Sequence, residues 1–205
     1  MYQKEFNNIL KSSFKSVYTK KNGFSVKGDG IFLLGGASCE AGFHVSYLND
    51  GKYLTLYFIF KDKDILSFID SANIKYPSYA LALVSINMWA SRGNFHLADS
   101  AGGVKLPDDE SKVPAIVDEI LNNINSKWIP FLHALVNRDK SCIEFIVDFV
   151  NKNPNQGFSY PFYICLYMAL KNSYSFDEFL KSVGDVKNIS RDLSWDIENS
   201  RKYFS

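Results

Sequence analysis

The sequence predicts an α+β fold: an antiparallel β-meander of four to six strands with an N-terminal helix and a helical C-terminal half. Three patterns predict this class. Apolar side chains recur at helical spacing over residues 2–18, short β-type runs alternate with turn residues over 24–60, and helical spacing returns from residue 113. Strands followed by helices, without a regular alternation of the two, are typical of α+β proteins.

The first elements are a helix and a series of hairpins. Residues 2–18 predict an amphipathic helix, because their apolar side chains share one face, and Asn22-Gly23 ends it. Four short β-type runs follow: Phe24–Lys27, Ile31–Leu34, Phe43–Leu48 and Tyr53–Phe60. The turns Gly28-Asp29-Gly30 and Asn49-Asp50-Gly51 each join two of these runs, and residues of these types adopt the positive φ angles of tight hairpins.

The rest of the chain is predicted to be mainly helical. Residues 61–77 predict a short helix, and Tyr79–Trp89 is interpreted as a strand because polar and apolar residues alternate in its second half. Further helices are predicted near 113–128, 130–136, 142–150, 160–170, 175–184 and 189–197. No segment has the composition of a linker, so we expect one domain over residues 1–205, with the helix and sheet in 1–110 and the helical part in 111–205.

The composition narrows the function classes. The formal net charge is +1 and only four residues are arginines, whereas nucleic-acid-binding domains usually carry a clear basic surplus. The three cysteines are too few and too scattered for a disulfide framework. We find no secretory-signal pattern and no apolar run of about 18 residues. We therefore expect a cytoplasmic protein that binds neither nucleic acid nor membrane.

The stretch Leu34–Gly42, with the sequence LGGASCEAG, has the composition of a binding loop. A phosphate-binding loop needs a lysine after the glycines and a helix behind them, whereas a strand is predicted here, so we interpret the stretch as a turn. Cys39 could act as a nucleophile only beside a basic group that lowers its pKa. No pattern pairs it with His44, His96 or His133, so a cysteine-dependent hydrolase is kept only as an alternative.

No residue pattern predicts a metal ion or a cofactor. The sequence lacks the cysteine and histidine spacings of zinc sites, and its Asp62/Asp64 pair and acidic run 108–110 lack the spaced ligands of a calcium loop. The aromatic-rich run Tyr53–Phe60 carries no interleaved charge, unlike a nucleic-acid stacking platform, so we expect a core strand. Its inward-facing row is one of two sets: Leu56, Phe58 and Phe60, or Tyr57 and Ile59.

The charge is unevenly distributed along the chain. Residues 1–27 carry six lysines against Glu5 alone (net +5), and residues 99–119 carry two lysines against six carboxylates (net −4). An acidic surface speeds association with a basic partner and fixes its orientation. The predicted partner-binding residues are these six carboxylates: Asp99, Asp108, Asp109, Glu110, Asp118 and Glu119.

The segments NGFSVKGDGIFLL, VDEILNNINSKWIPFLHAL and CIEFIVDFV, in this order, resemble a bacterial domain family of unknown function. Its members share a G-F-x-x-K-G opening and a long helix that ends in x-P-F-L. Residues 23–28 match the opening, Pro130, Phe131 and Leu132 match the helix end, and the likeness covers roughly residues 2–150. Members often lie beside polymorphic toxins of the contact-dependent growth inhibition type, and some are taken to be immunity proteins.

The resemblance implies a cytosolic immunity protein, without catalytic residues or a cofactor, that binds a cognate toxin domain and occludes its active site. Toxins that attack nucleic acid tend to be basic, which suits the six carboxylates. Two alternatives stay open: a small hydrolase that uses Cys39, and a regulatory or scaffold module with another protein partner.

Overall fold

The computed structural model describes residues 3–28, 30–34, 39–71, 84–89, 94–99, 102–153, 178 and 181. It confirms the α+β class. The helices are α1 (Gln3–Val17), α2 (Lys63–Ser71), α3 (Val113–Asn123), α4 (Ile129–Val136) and α5 (Ser141–Lys152). The strands are β1 (Phe24–Lys27), β2 (Gly30–Leu33), β3 (Cys39–Leu48), β4 (Tyr53–Asp62), β5 (Val84–Asn87) and β6 (Val104–Lys105).

Some predictions fall outside these residues. The helices predicted near 160–170, 175–184 and 189–197 lie there, although residues 178 and 181 are helical. Of the strand predicted over Tyr79–Trp89, residues 84–87 form β5 and residues 79–83 are not described. Among the described residues, no helix is both long enough and apolar enough to cross a membrane.

Helix α1 forms because Phe6, Leu10 and Phe14 recur every four residues and all lie buried on one side. A turn of 3-10 helix over Lys20–Asn22 follows it. That turn ends at Gly23, whose φ of +83° is a left-handed conformation that glycine adopts without a steric penalty. The predicted stop at Asn22-Gly23 therefore ends the 3-10 turn rather than α1 itself.

The strands pair in the order β1-β2-β3-β4-β5, and β6 pairs with β4 as well. The β1–β2 hairpin sets Phe24 opposite Leu33 and Lys27 opposite Gly30. The turn between β3 and β4 has positive φ angles of 50°, 56° and 85° at residues 49, 50 and 51. Both predicted hairpins are therefore confirmed. They could be predicted from the sequence because the residues of a tight turn determine its conformation locally.

The even-numbered apolar side chains of β4 form its inward-facing row. Leu54, Leu56, Phe58 and Phe60 are at most 1% exposed, whereas Tyr57 and Ile59 are half-buried. The ring centroid of Phe58 lies 5.2 Å from that of Phe131, and the ring centroid of Phe131 lies 6.4 Å from that of Trp128. The even-numbered row of the strand therefore packs into an aromatic core.

The glycine-rich stretch LGGASCEAG, predicted to be a turn, is strand in its second half, because residues 39–42 form the start of β3. Strand β2 ends at Leu33 and β3 begins at Cys39, so a strand, not a helix N-terminus, follows the glycines. Residues 35–38 are outside the described part of the chain. Gly42 pairs with Phe32 in the sheet, and a Cβ at this position would collide with the Ile31 carbonyl oxygen. The absence of a side chain at Gly42 therefore allows β2 and β3 to approach closely.

The chain forms two compact units. One comprises residues 1–36, 40–59 and 85–132, and the other comprises residues 37–39, 60–84 and 133–205. Helix α3, which opens the predicted helical part, belongs to the first unit together with α1.

Within the first unit, α1 packs against α3. The Tyr18 hydroxyl, just beyond α1, donates a hydrogen bond of 2.9 Å to Asn125 Oδ1, just beyond α3. At the other end, Gln3 and Asp108 line a common depression. The two helices therefore run side by side in the same direction.

A π-helical segment, Ile124–Trp128, joins α3 to α4 without a break. The Ile129 N–H donates to the Ile124 carbonyl oxygen, five residues earlier. Pro130, predicted to start a new element, is the second residue of α4. Proline has no N–H to donate and its ring clashes with the carbonyl four residues earlier, and the wider π turn lies directly before it. Segments of π-helix often occur at functional sites.

Candidate functional site

Five of the six predicted carboxylates are exposed on the first unit. They follow β6 and continue along α3. We call them the acidic surface: Asp108, Asp109, Glu110, Asp118 and Glu119.

Asp99, the sixth carboxylate, has a different environment. It is half-buried, and its Oδ1 accepts a hydrogen bond of 3.0 Å from the Gly103 N–H. The Asp99 N–H in turn donates to the Gly103 carbonyl oxygen at 2.9 Å. Asp99 therefore shapes the loop that leads to β6, and we do not include it in the acidic surface.

Two members of the acidic surface also have local structural roles. Asp108 forms an ion pair of 3.1 Å with Lys105, and both side chains are largely exposed, so the pair contributes about 0–1 kcal/mol. Asp109 begins the 3-10 turn Glu110–Lys112 by accepting a hydrogen bond of 3.0 Å from the Ser111 N–H. Hydrogen bonds from Ser111 hold the pKa of Asp109 below its usual value, so this side chain keeps its charge at neutral pH.

The charges of Glu110 and Asp118 are not neutralised locally. Within the part of the chain that the structure describes, no basic side-chain nitrogen lies within 4.0 Å of either carboxylate. The lysines of the predicted basic segment include exposed Lys4 and Lys15 on α1, the helix beside α3. The two oppositely charged segments of the sequence therefore lie in one unit.

A depression of about 580 Å³ adjoins the acidic surface at Glu119. We call it the polar depression. Its exposed rim consists of His96, Glu119, Asn122, Asn125 and Ser126, and its floor includes Phe95 and Asn123. The His96 Nε2 atom lies 3.8 Å from a Glu119 carboxylate oxygen. Glu119, a predicted partner-binding residue, therefore lies beside His96, which is distant from it in the sequence.

Asn123 fixes the floor of the polar depression. Its Oδ1 accepts hydrogen bonds from the indole N–H groups of Trp89, at 2.9 Å, and Trp128, at 3.2 Å. Its amide nitrogen donates to the Asn94 carbonyl oxygen at 3.3 Å. A single side chain therefore ties α3, the π segment and the loop at residues 94–99 together.

Sequence reasoning missed most of this rim. In the sequence, His96 is a candidate only as a partner for Cys39, and Asn122 and Asn125 belong to no recognisable motif. A signal was present, because Glu119, Asn122 and Ser126 follow one another at spacings of three and four residues and so share one side of a helix. Nothing in the sequence indicated that the loop carrying His96 would lie beside them.

Cys39 lies in the second unit, in an environment that disfavours its thiolate. Burial raises the pKa of the Cys39 thiol, and the negative charges of Asp62 and Asp64 raise it further, whereas Arg138 lowers it. A nucleophilic cysteine needs a lowered pKa. The described environment of Cys39 therefore lacks the activation that the hydrolase alternative requires.

Asp62, Asp64 and Arg138 form a structural cluster in the second unit. Asp62 is 2% exposed, and its Oδ1 caps α2 by accepting the N–H groups of Asp64, at 2.8 Å, and Ile65, at 3.1 Å. Arg138 Nη2 lies 3.3 Å from Asp62 and 2.6 Å from Asp64. The cluster therefore has a structural role: Asp62 caps α2, and the ion pairs join Arg138 to both carboxylates.

No metal centre stands out. The residues that the structure describes contain no group of three or more histidine, cysteine or carboxylate side chains able to hold a metal ion. A second depression, of about 440 Å³, lies beside the β3–β4 turn and is lined by side chains of both signs, including Lys52, Lys105 and Asp108. This mixed charge favours no single ligand chemistry.

Comparisons with protein-family models, with curated proteins and with solved structures give no match for this chain. The resemblance to immunity proteins is therefore a prediction from the sequence alone.

Proposed function

We propose that this chain is a non-catalytic protein-binding module, specifically a cytosolic immunity protein that binds a cognate bacterial toxin and occludes its active site. The observation that carries the proposal is the acidic surface. All five of its carboxylates are exposed, and two of them, Glu110 and Asp118, have no cation within 4.0 Å among the described residues.

The partner that suits this surface is a basic toxin domain that attacks nucleic acid. The active-site cleft of such a toxin binds phosphates and is therefore positively charged. Carboxylates along α3 attract that cleft and cover it, and an interface of this kind buries on the order of 1,600 Å². Inhibition is then stoichiometric, and the chain needs no catalytic residue or cofactor of its own.

The environment of Cys39 does not favour the hydrolase alternative. Burial and two neighbouring carboxylates raise the pKa of its thiol, so the thiol stays protonated at neutral pH. Replacement of Cys39 by serine is accordingly expected to leave toxin neutralisation intact.

The first test is the genomic neighbourhood: the proposal requires a toxin-like reading frame beside the gene of this chain, and a metabolic operon there contradicts it. The protein that such a reading frame encodes is then paired with the chain. The test variant carries Glu110→Lys and Asp118→Lys. The matched control carries Asp70→Lys and Glu144→Lys, the same change in charge at exposed carboxylates of the second unit. Surface plasmon resonance at a series of salt concentrations gives the association and dissociation rates of each variant.

We expect the test variant to associate about tenfold more slowly at low salt, with a smaller change in its dissociation rate. The difference from wild type shrinks at high salt, because screening removes steering between exposed charges. The control variant keeps the wild-type rates. Equal association of both variants, without salt dependence, contradicts docking through the acidic surface, and neutralisation by substoichiometric amounts of the chain contradicts occlusion.

A further inference from the structure

We infer that the polar depression binds the guanidinium or ammonium group of an arginine or lysine side chain. The inference rests on the proposed function, because the side chain would come from the basic partner that the acidic surface attracts. It adds a specific anchoring site to a surface that otherwise acts through long-range charge.

The hydrogen bonds around the depression leave acceptors on its rim. The only hydrogen of the Ser126 hydroxyl is donated to the Asn122 carbonyl oxygen at 2.7 Å, so the lone pairs of Ser126 Oγ are what it presents to a ligand. The Glu119 carboxylate accepts hydrogen bonds and donates none. Asn122 adds a side-chain amide that both accepts and donates, and Asn125, whose Oδ1 accepts the Tyr18 hydroxyl, adds amide N–H donors.

The charged side chains of the lining also favour a cationic ligand. Neither a lysine nor an arginine lines the depression, and its one carboxylate, from Glu119, is 49% exposed beside an imidazole at 3.8 Å. A group that only donates hydrogen bonds and carries positive charge complements the Glu119 carboxylate and the Ser126 hydroxyl oxygen. Guanidinium has five N–H donors and ammonium has three, and neither has an acceptor.

The site is also held in place before any ligand binds. The ring of Phe95 lies 5.0 Å from that of Trp89 and 5.3 Å from the His96 imidazole, so ring contacts position the loop. On the helix side, the Tyr18 hydroxyl donates to Asn125 Oδ1 at 2.9 Å, and burial raises the pKa of Tyr18, which keeps this donor protonated. The rim is therefore ordered by contacts made outside it, which lowers the entropic cost of binding.

The experiment uses a small probe and does not need the partner. N-acetyl-arginine methylamide is titrated into the full chain, and the side-chain amide signals of Asn122 and Asn125 are followed by NMR. N-acetyl-citrulline methylamide is the control ligand, because its urea group has nearly the shape of guanidinium without the charge. Glu119→Gln is the test variant, and Glu5→Gln, at an exposed carboxylate of α1 outside both the lining and the acidic surface, is the matched control variant.

We expect saturable shifts of the rim amides with the arginine probe and much smaller shifts with the citrulline probe. Glu119→Gln weakens binding of the arginine probe about threefold to fivefold, the loss typical of one partly exposed ion pair, and Glu5→Gln changes it less than about twofold. Equal shifts with both probes, equal loss in both variants, or no shift of the rim amides overturns the inference.

The outcome is separable from that of the proposed function. If the rim does not bind the probe but reversal at Glu110 and Asp118 still slows partner association, the anchoring site is wrong and the acidic docking surface stands. If the probe binds as expected but the partner is indifferent to charge, the site stands and the proposed function is wrong.

Discussion

Replacement of Phe58 by alanine is the sharpest test of the core described here. The Phe58 side chain is 1% exposed, and its ring lies 5.2 Å from that of Phe131 at an interplanar angle of 58°. Truncation of a buried phenylalanine typically costs about 3–5 kcal/mol in total, of which an aromatic pair accounts for about 0.5–1.5 kcal/mol. We therefore expect the free energy of unfolding to fall by about 4 kcal/mol.

The neighbouring Ile59→Ala variant is the matched control. Ile59 is half-buried on the opposite face of β4, so its loss is expected to cost only about 1–1.5 kcal/mol, half the transfer free energy of the deleted carbons. Urea unfolding followed by circular dichroism measures both variants. With a slope of about 2 kcal/mol per molar urea, the midpoint for Phe58→Ala shifts by about 2 M.

Two results would refute the assignment of the inward row. One is a cost for Phe58→Ala below that of Ile59→Ala. The other is strict additivity of Phe58→Ala and Phe131→Ala, because side chains in contact should show a coupling of about 0.5 kcal/mol or more.

Three further predictions concern single residues. Asp62→Ala removes a cap and one of the two carboxylate partners of Arg138, so we expect a loss of about 2–4 kcal/mol in urea unfolding, and a smaller loss for Asp62→Asn, which can still cap; equal losses would argue against the cap. Burial raises the pKa of Cys142 to about 12 and also raises that of Cys39, so native-state alkylation, mapped by mass spectrometry, should be slower at both than at a free thiol. The pKa of Asp109 is lowered in the folded state, so its contribution to stability is present above about pH 4 and is lost as the pH falls through the folded-state pKa. A pH series of unfolding midpoints in which Asp109→Ala and wild type differ equally at pH 2 and pH 6 would contradict this.

The sequence predicted the parts of the fold that depend on near neighbours. The Asn49-Asp50-Gly51 turn has the positive φ angles expected of its residue types, and Phe6, Leu10 and Phe14 are buried together as their spacing indicates. The choice between the two faces of β4 could not be made in the same way. The two candidate rows, Leu56, Phe58 and Phe60 against Tyr57 and Ile59, are both apolar or aromatic, so the packing of a distant residue, Phe131, is what distinguishes them.

The candidate site was only partly accessible from the sequence for the same reason. The carboxylates of the acidic surface are close together in the chain and could be recognised as a charged segment. The polar depression depends on contacts between residues that are far apart, such as the hydrogen bond of Trp89 to Asn123 and the position of His96 beside Glu119. Asp99 illustrates the same point, because composition cannot distinguish a carboxylate that bonds to its own loop from one that faces solvent.

The two indole groups that share the oxygen of Asn123 give the protein a built-in spectroscopic reporter. Trp89 and Trp128 are 0% and 2% exposed, and both N–H groups point to the same acceptor beneath the polar depression. Their indole proton resonances should therefore shift together whenever the floor of the depression moves. Events at the rim can then be observed in the unlabelled protein, in a spectral window that few other protons occupy.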